Sequence, residues 1–346
     1  MFNSLKGRLT PFLFDKRMGR QKHHQSLQFR GGFRVFWENI DLVPSILKVL
    51  LHKTGLLKEG FKNALDYQVV HHRIRLMNLP ASFRGFTILQ LSDLHIDGII
   101  DNGQRLIERI RELSYDLCVF TGDFRFLTYG QFHETITLTK KIMEAVGGRE
   151  HPLGVLGNHD FIEMVPALEN MGIQMLLNES VVIERGNERI GIAGVDDSHF
   201  YGTDNIDRAI EGIADAPCKI LLAHSLEGIP QAAKKGINYY MCGHTHGGQL
   251  CLPGGVPVII NSPLNFRGRF VKGAWVYRDM HGYTCRGAGS SGLPVRYNCP
   301  PEITLHTFVL KFKPIWLALF WLLVVSSSHK YEIRKRDILF CLRSWL

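Results

Sequence analysis

The sequence predicts an α/β fold with more than one sheet, on three observations. First, short apolar runs alternate with helical or loop segments from about residue 66 to 310. Second, the later half of that stretch is strand-rich, more than one sheet's worth in an alternating pattern. Third, 346 residues with 45% hydrophobic and 21% charged side chains suffice for a buried core and exclude wholesale disorder.

Three regions follow along the chain. Residues 1–65 read as a basic, amphipathic arm. In "PSILKVLLHKTGLLK", Ile46, Leu47, Leu50 and Leu51 share a helical face opposite Lys48 and His52. Aromatics and arginines interleave at Phe29, Arg30, Phe33, Arg34, Phe36 and Trp37. Residues 1–75 hold 14 Lys/Arg against 5 Asp/Glu, which accounts for the whole net charge of +9. Residues 66–310 form the main domain. Its strands read as "FTILQL", "DLCVF", "LGVLG", "VVIE", "RIGIAGV", "KILLA", "NYYMC", "VPVII" and "EITLHTFVL", with "NGQRLIERIREL" a helix. Residues 311–346 are a tail with the apolar run "IWLALFWLLVV" (315–325) and a basic triplet at 334–336. Eleven helical residues reach about 17 Å, short of the roughly 30 Å of a bilayer interior. In-plane insertion, shallow anchoring and a plain core helix all stay open for this run.

Seven cysteines without a C-x-x-C pair argue against a disulfide framework and fit a reducing compartment. No secretory signal is read at the N-terminus.

The chemistry sits just past the strands. "FTILQL" leads into Asp93 and His95, "DLCVF" into Asp123, and "LGVL" into Asn158, His159 and Asp160. "KILLA" ends in His224, and "NYYMC" leads into His244 and His246. Five strands thus each deliver an oxygen or imidazole ligand past their carboxyl ends, the edge where open α/β sheets bind ligands. A single histidine at such a place is readily a satisfied polar residue, whereas five such strand ends in one order are not. Carboxylate, amide oxygen and imidazole suit divalent manganese, iron or zinc, and no thiolate set suggests structural zinc. Glycines before Asp123, Asn158 and His244 allow tight turns into a shared site.

D-x-H, G-D, G-N-H-D, a lone His and G-H-x-H, in this order, resemble the calcineurin-like metallophosphoesterase superfamily. The resemblance spans about residues 68–310 and implies a four-layer αββα sandwich of two mixed sheets. It further implies two divalent metal ions, manganese first, with iron, zinc or a mixed pair as alternatives. Asp93, His95 and His246 would hold one ion, Asn158, His224 and His244 the other, and Asp123 would bridge them. His159 would be the general acid or a phosphate contact rather than a ligand, oriented by Asp160. The implied reaction is hydrolysis of a phosphoester or pyrophosphate bond by a metal-bridging hydroxide, without a covalent enzyme intermediate.

Arg125, in "GDFRF", has two equal readings: a fork for substrate phosphate or a surface arginine. The stretch "GAGSSGLPVRYNCPPEITL" resembles a bacterial, often membrane-associated subgroup. One activity there is cleavage of UDP-2,3-diacylglucosamine in lipid A synthesis. The resemblance therefore implies a phosphorylated, lipid-linked substrate met peripherally at the cytoplasmic side of the cell membrane. A basic amphipathic arm suits an anionic membrane surface. Nucleic acid ranks behind that because no recognised motif accompanies the charges, and a third reading packs the arm on the main domain. Soluble or cyclic nucleotides are the alternative substrates, and a scaffold on an inactive fold is the alternative class. The filled ligand set favours the enzyme. Oligomeric state is not legible in the sequence.

Overall fold

The structure, a computed structural model, describes residues 2–22, 42–76, 78–260, 262, 266 and 268–310. The aromatic–arginine stretch at 29–37, the apolar run 315–325 and the basic triplet 334–336 lie outside the described residues.

Four helices open the chain: α1 (Phe2–Leu9), α2 (Pro11–Gln21), α3 (Leu42–Lys53) and α4 (Leu57–Asn63). Then come β1 (Gln68–Leu76), β2 (Thr87–Leu91), α5 (Gln104–Arg111), β3 (Leu117–Thr121), α6 (His133–Met143), β4 (Leu153–Val155), α7 (Val165–Asn170) and β5 (Gln174–Met175). The second half holds β6 (Glu179–Arg185), β7 (Glu188–Gly194), α8 (Ile206–Ala209), β8 (Lys219–Leu222), α9 (Ile229–Lys234) and β9 (Tyr239–Cys242). A small hairpin of β10 (Cys251–Leu252) and β11 (Val256–Pro257) precedes β12 (Gly273–Tyr277), β13 (Met280–Thr284) and β14 (Glu302–Leu310).

Two six-stranded mixed sheets result, in the orders β1-β14-β2-β3-β4-β5 and β12-β13-β9-β8-β7-β6. Alternation along the strands builds the layers, because successive side chains point to opposite faces. Ile88, Leu117, Val119, Ile190, Ile192, Ile220, Leu222 and Met241 fill the space between the sheets. Their neighbours Leu89, Leu91, Cys118 and Phe120 turn outward under α5, α6 and α7. Ala193, Leu221, Tyr240 and Cys242 turn outward under α8 and α9. This is the four-layer αββα sandwich. A polar crossing centred on Gln90 joins the sheets. Gln90 on β2 donates to Thr121 Oγ1 and to the Cys242 carbonyl of β9, at 3.0 Å each. It also accepts from His306 Nε2 at 3.0 Å, while Tyr239 OH bonds His306 Nδ1 at 2.7 Å.

Two expectations need correction. "VPVII" is not a core strand: only Val256–Pro257 pairs, in the isolated hairpin, and Val258 and Ile259 are more than half exposed. Gly254 and Gly255, both at positive φ, turn the chain back after two residues, so no sheet takes it up. The expected strand list also omits β1, β5, β10 and the β12–β13 hairpin.

Of the three readings of the arm, packing on the main domain describes residues 2–22. Thr10 caps α2 by accepting the Leu13 N–H, with Pro11 in the first turn. Leu5, Leu9 and Phe14 are buried in the core against the first sheet's helices. Arg17 is fully buried: Nη1 meets Asp196 Oδ1 at 2.7 Å, Nη2 donates to the Asp160 carbonyl at 2.9 Å, and the guanidinium lies over Tyr201. In α3, Leu47 and Leu51 pack inward beside Leu250, while Ile46, Val49 and Leu50 are about half exposed. The predicted apolar face is thus wider than the stripe that packs.

Candidate metal centre

The strands β2, β3 and β4 run parallel in the first sheet, and β7, β8 and β9 run parallel in the second. Their carboxyl ends meet at one place, so every predicted site residue except Arg125 comes from a turn directly after such an end. The turns are strained. Asp93, His95, Asp123, His244 and His246 have φ of 48°, 40°, 57°, 68° and 51°. Left-handed backbone costs an L-residue about 1–2 kcal/mol, which marks these turns as held by their surroundings. Glycine permits the crowding at two of them. A Cβ on Gly243 would strike Ser92 Oγ and Asp93 Oδ2, and one on Gly157 would strike the Asp123 carboxylate.

The donor atoms converge in three overlapping groups. Asp93, His95 and His246 form one, His95, Asp123 and His159 a second, and Asp123, His224 and His244 a third. Within each, the candidate ligand atoms lie within 4.8 Å of one another. His95 Nε2 faces His246 Nε2 at 3.2 Å, and His244 Nδ1 faces His224 Nε2 at 3.2 Å. Asn158 Oδ1 stands 2.9 Å from His224 Nε2. Asp123 Oδ2 is 3.3 Å from His224 Nε2 and 3.6 Å from His95 Nε2. All these side chains are buried.

Backbone carbonyls set the rings. The Nδ1 atoms of His95, His224 and His159 meet the carbonyls of Arg125 (2.5 Å), Thr121 (2.9 Å) and Phe126 (2.7 Å). A carbonyl only accepts, so each Nδ1 carries a proton and each Nε2 is the ring nitrogen turned to the cluster, the outer support that metal-bound histidines use. Burial, reinforced by neighbouring histidines, pushes His244 and His246 well below 6.5, into the neutral form that ligates a cation. Burial drives the Asp93 carboxyl up, whereas Asp123, against the same burial, is held well below the usual range by His224 and His159. Two buried carboxyl groups with converging imidazole nitrogens fit divalent cations.

Two sequence readings change in detail. Asp160 does not grip the His159 ring. Its carboxylate, pushed up to about 6 by burial and by Asp123, accepts the backbone N–H groups of Asp123, Phe124, Arg125 and Gly157. It therefore shapes the two turns that carry Asp123 and Asn158. Arg125 is no surface arginine but fully buried. Its guanidinium stacks on Phe161 at 4.0 Å and Nη2 donates to the Tyr129 and Gly130 carbonyls. Its Nε and Nη1 have no hydrogen-bond partner among the described residues.

Sequence reasoning missed His199, Glu227 and Arg17. His199 had a usable signal: "RIGIAGV" (β7) is a strand like the others, and an imidazole follows five residues past its end. Arg17 had none, because its partner Asp196 lies 179 residues away.

Two mixed sheets closing on buried carboxyl groups and imidazoles define the class, an α/β protein with a candidate metal centre built from strand ends. The calcineurin-like phosphoesterase family model matches residues 86–248. The uncharacterized metallophosphoesterase YkuE of Bacillus subtilis is 30% identical over 251 residues, 69% of this chain and 85% of that one. The phosphodiesterase YaeI of Escherichia coli is 28% identical over 253 residues, 70% and 88% respectively. A transmembrane protein with metallophosphoesterase domain from Danio rerio is 29% identical over 311 residues, 84% of this chain and 66% of that one. The chain belongs to the calcineurin-like phosphoesterase family and is a phosphoesterase, a hydrolase; the family uses divalent metals, and the three donor groups are this chain's candidate ligands.

Proposed function

We propose that this chain hydrolyses a phosphodiester or pyrophosphate bond of a lipid-linked substrate, of the kind UDP-2,3-diacylglucosamine represents, at an anionic membrane surface. The observation that carries the chemistry is the convergence of five strand ends on overlapping donor groups. Asp93, His95 and His246 would hold one cation, Asn158, His224 and His244 a second, with Asp123 between them; manganese suits this oxygen-and-imidazole set. Such ions supply charge to bind phosphate oxygens and an activated water for attack.

The chain's own residues do the rest. The Phe126 carbonyl occupies His159 Nδ1–H, so a charged ring carries its second proton on Nε2, 3.9 Å from Asp123 Oδ2. That proton goes to the leaving oxygen. Arg125, buried with two nitrogens unpaired, serves as a phosphate contact. His159→Ala should leave metal content near the parent's and lower turnover by roughly 10²–10⁴. The loss should shrink for an aryl ester whose leaving group needs no proton. Because His159 also groups with His95 and Asp123, loss of bound metal in this variant would make it a ligand and end the general-acid role.

The membrane side is supported by exposed apolar residues beside the site. Leu252, Val256, Val258 and Ile259 are more than half exposed on the segment that follows His246, and Leu250 packs with α3. α3 adds exposed Ile46, Val49 and Leu50 with exposed Lys48 and Lys53. A relative from Danio rerio carries "transmembrane" in its name. No helix among the described residues is long and apolar enough to cross a membrane. Residues 2–22 belong to the core, so deleting the arm would test folding rather than docking; surface changes are the clean probe. Leu50→Gln combined with Val258→Ser and Ile259→Asn should weaken sedimentation with anionic liposomes several-fold and slow cleavage of a diacylated substrate. Hydrolysis of bis(p-nitrophenyl) phosphate should be unchanged. Parent-like liposome binding and parent-like cleavage of both substrates would refute the membrane reading.

A further inference from the structure

A third imidazole belongs to the second sheet's edge. The three parallel strands β7, β8 and β9 are followed in turn by His199, His224 and His244. The last two are candidate ligands, but His199 falls in none of the donor groups. Its ring nevertheless packs against His244, with centroids 4.1 Å apart at 46°.

The position is built. His199 Nδ1 meets Glu227 Oε1 at 2.7 Å, and Glu227 sits three residues past His224 on the turn after β8. Against its burial, His199 together with a Ser225 hydrogen bond holds the Glu227 carboxyl down to about 2, so it stays ionised and keeps the ring fixed. The turn beneath is equally constrained. Asp197 accepts the N–H groups of His199 (3.1 Å), Phe200 (2.7 Å) and Tyr201 (2.7 Å). Arg20 of α2 donates to the Phe200 and Tyr201 carbonyls, and Lys16 to that of Gly202. A carboxylate on Nδ1 is the arrangement that fixes a working imidazole's tautomer and direction. The His199 side chain is 11% exposed, close to the 8% of His246, whereas that of His224 is at 0%. It lies against His244, next to the half of the cluster formed by Asn158, His224 and His244.

We infer that His199, oriented by Glu227, contacts the substrate's phosphoryl group on the second sheet's side of the cluster. His159 and Arg125 would then approach the same group from the first sheet. The inference rests on the reading of this cluster as a phosphoesterase site. It assigns to the Glu227–His199 pair a share of phosphate affinity, not a share of metal binding.

The test uses the full-length, manganese-loaded protein, bis(p-nitrophenyl) phosphate as substrate and inorganic phosphate as competitive inhibitor. His199→Ala should raise KM and the phosphate inhibition constant together by about tenfold, with bound metal and melting temperature like the parent's. Glu227→Gln should give a smaller rise in both, and His199→Gln, which keeps a donor, should recover part of the loss. Metal loss in step with activity would overturn the inference, since His199 would then only buttress His244. So would KM and inhibition constants within twofold of the parent's. Should His199→Ala fail to fold, Glu227→Gln and His199→Gln carry the same comparison. A parent that neither cleaves the diester nor binds phosphate would instead refute the phosphoesterase reading of the site.

Discussion

Asp123→Asn will empty both halves of the metal centre in one step. Asp123, like His95, belongs to two of the three donor groups, with Oδ2 facing His224, His95 and His159, and with Oδ1 accepting the His159 N–H at 2.8 Å. Asparagine keeps the side-chain shape and tolerates the left-handed backbone at φ 57°, so the change removes charge with little new strain. Alanine would add backbone strain to the same loss. The expected result is less than one equivalent of bound metal per chain. The fall in turnover should exceed the roughly 10–100-fold cost of losing a mere outer partner of a metal site. Two equivalents of metal and turnover within tenfold of the parent would show that Asp123 does not join the two halves.

Arg17→Met will destabilise the protein and weaken activity without touching the cluster. Arg17 and Asp196 are both fully buried and paired at 2.7 Å. Removing one member of such a pair costs about 3–5 kcal/mol, because the other charge stays buried alone. Here the loss also frees the Asp160 carbonyl, on the residue whose carboxylate pins the Asp123 and Gly157 turns. Denaturant midpoints should fall clearly, and Asp196→Asn in the same chain should recover part of the stability, a coupling that a double-mutant cycle measures. A stability within 1 kcal/mol of the parent would mean that α2 rests on the domain rather than holding it.

The site was more legible than its supports. Strands β2, β3, β4, β8 and β9 are short apolar runs ending at glycine, serine or alanine next to a polar residue, and that local pattern alone places Asp93, Asp123, Asn158, His224 and His244 at sheet edges. The identity of Asp160's partners was not legible, since G-N-H-D looks the same whether the last carboxylate meets an imidazole or four backbone N–H groups. "KGRLTPFLFDKRMGRQK" has the pattern of a surface helix and of a docked one alike. Its burial depends on Asp160, Asp196 and the turn at 200–202, which lie well over a hundred residues away. "VPVII" has the composition of a strand but no sheet edge to join, and composition carries no information about neighbours.

The Gln90 crossing has a consequence for assembly. The proposed ligands come from both sheets: Asp93, His95, Asp123 and Asn158 from one, His224, His244 and His246 from the other. Sliding one sheet by a single residue, about 3.3 Å, would carry donors now about 3 Å apart out of reach of a common ion. The same slide would strand Gln90, Thr121, His306 and Tyr239 in an apolar layer, at about 1–3 kcal/mol for each buried group left unpaired. The crossing is therefore an alignment pin. It sets the two halves of the cluster opposite each other by protein chemistry alone, so an arriving cation meets a finished socket instead of having to gather one.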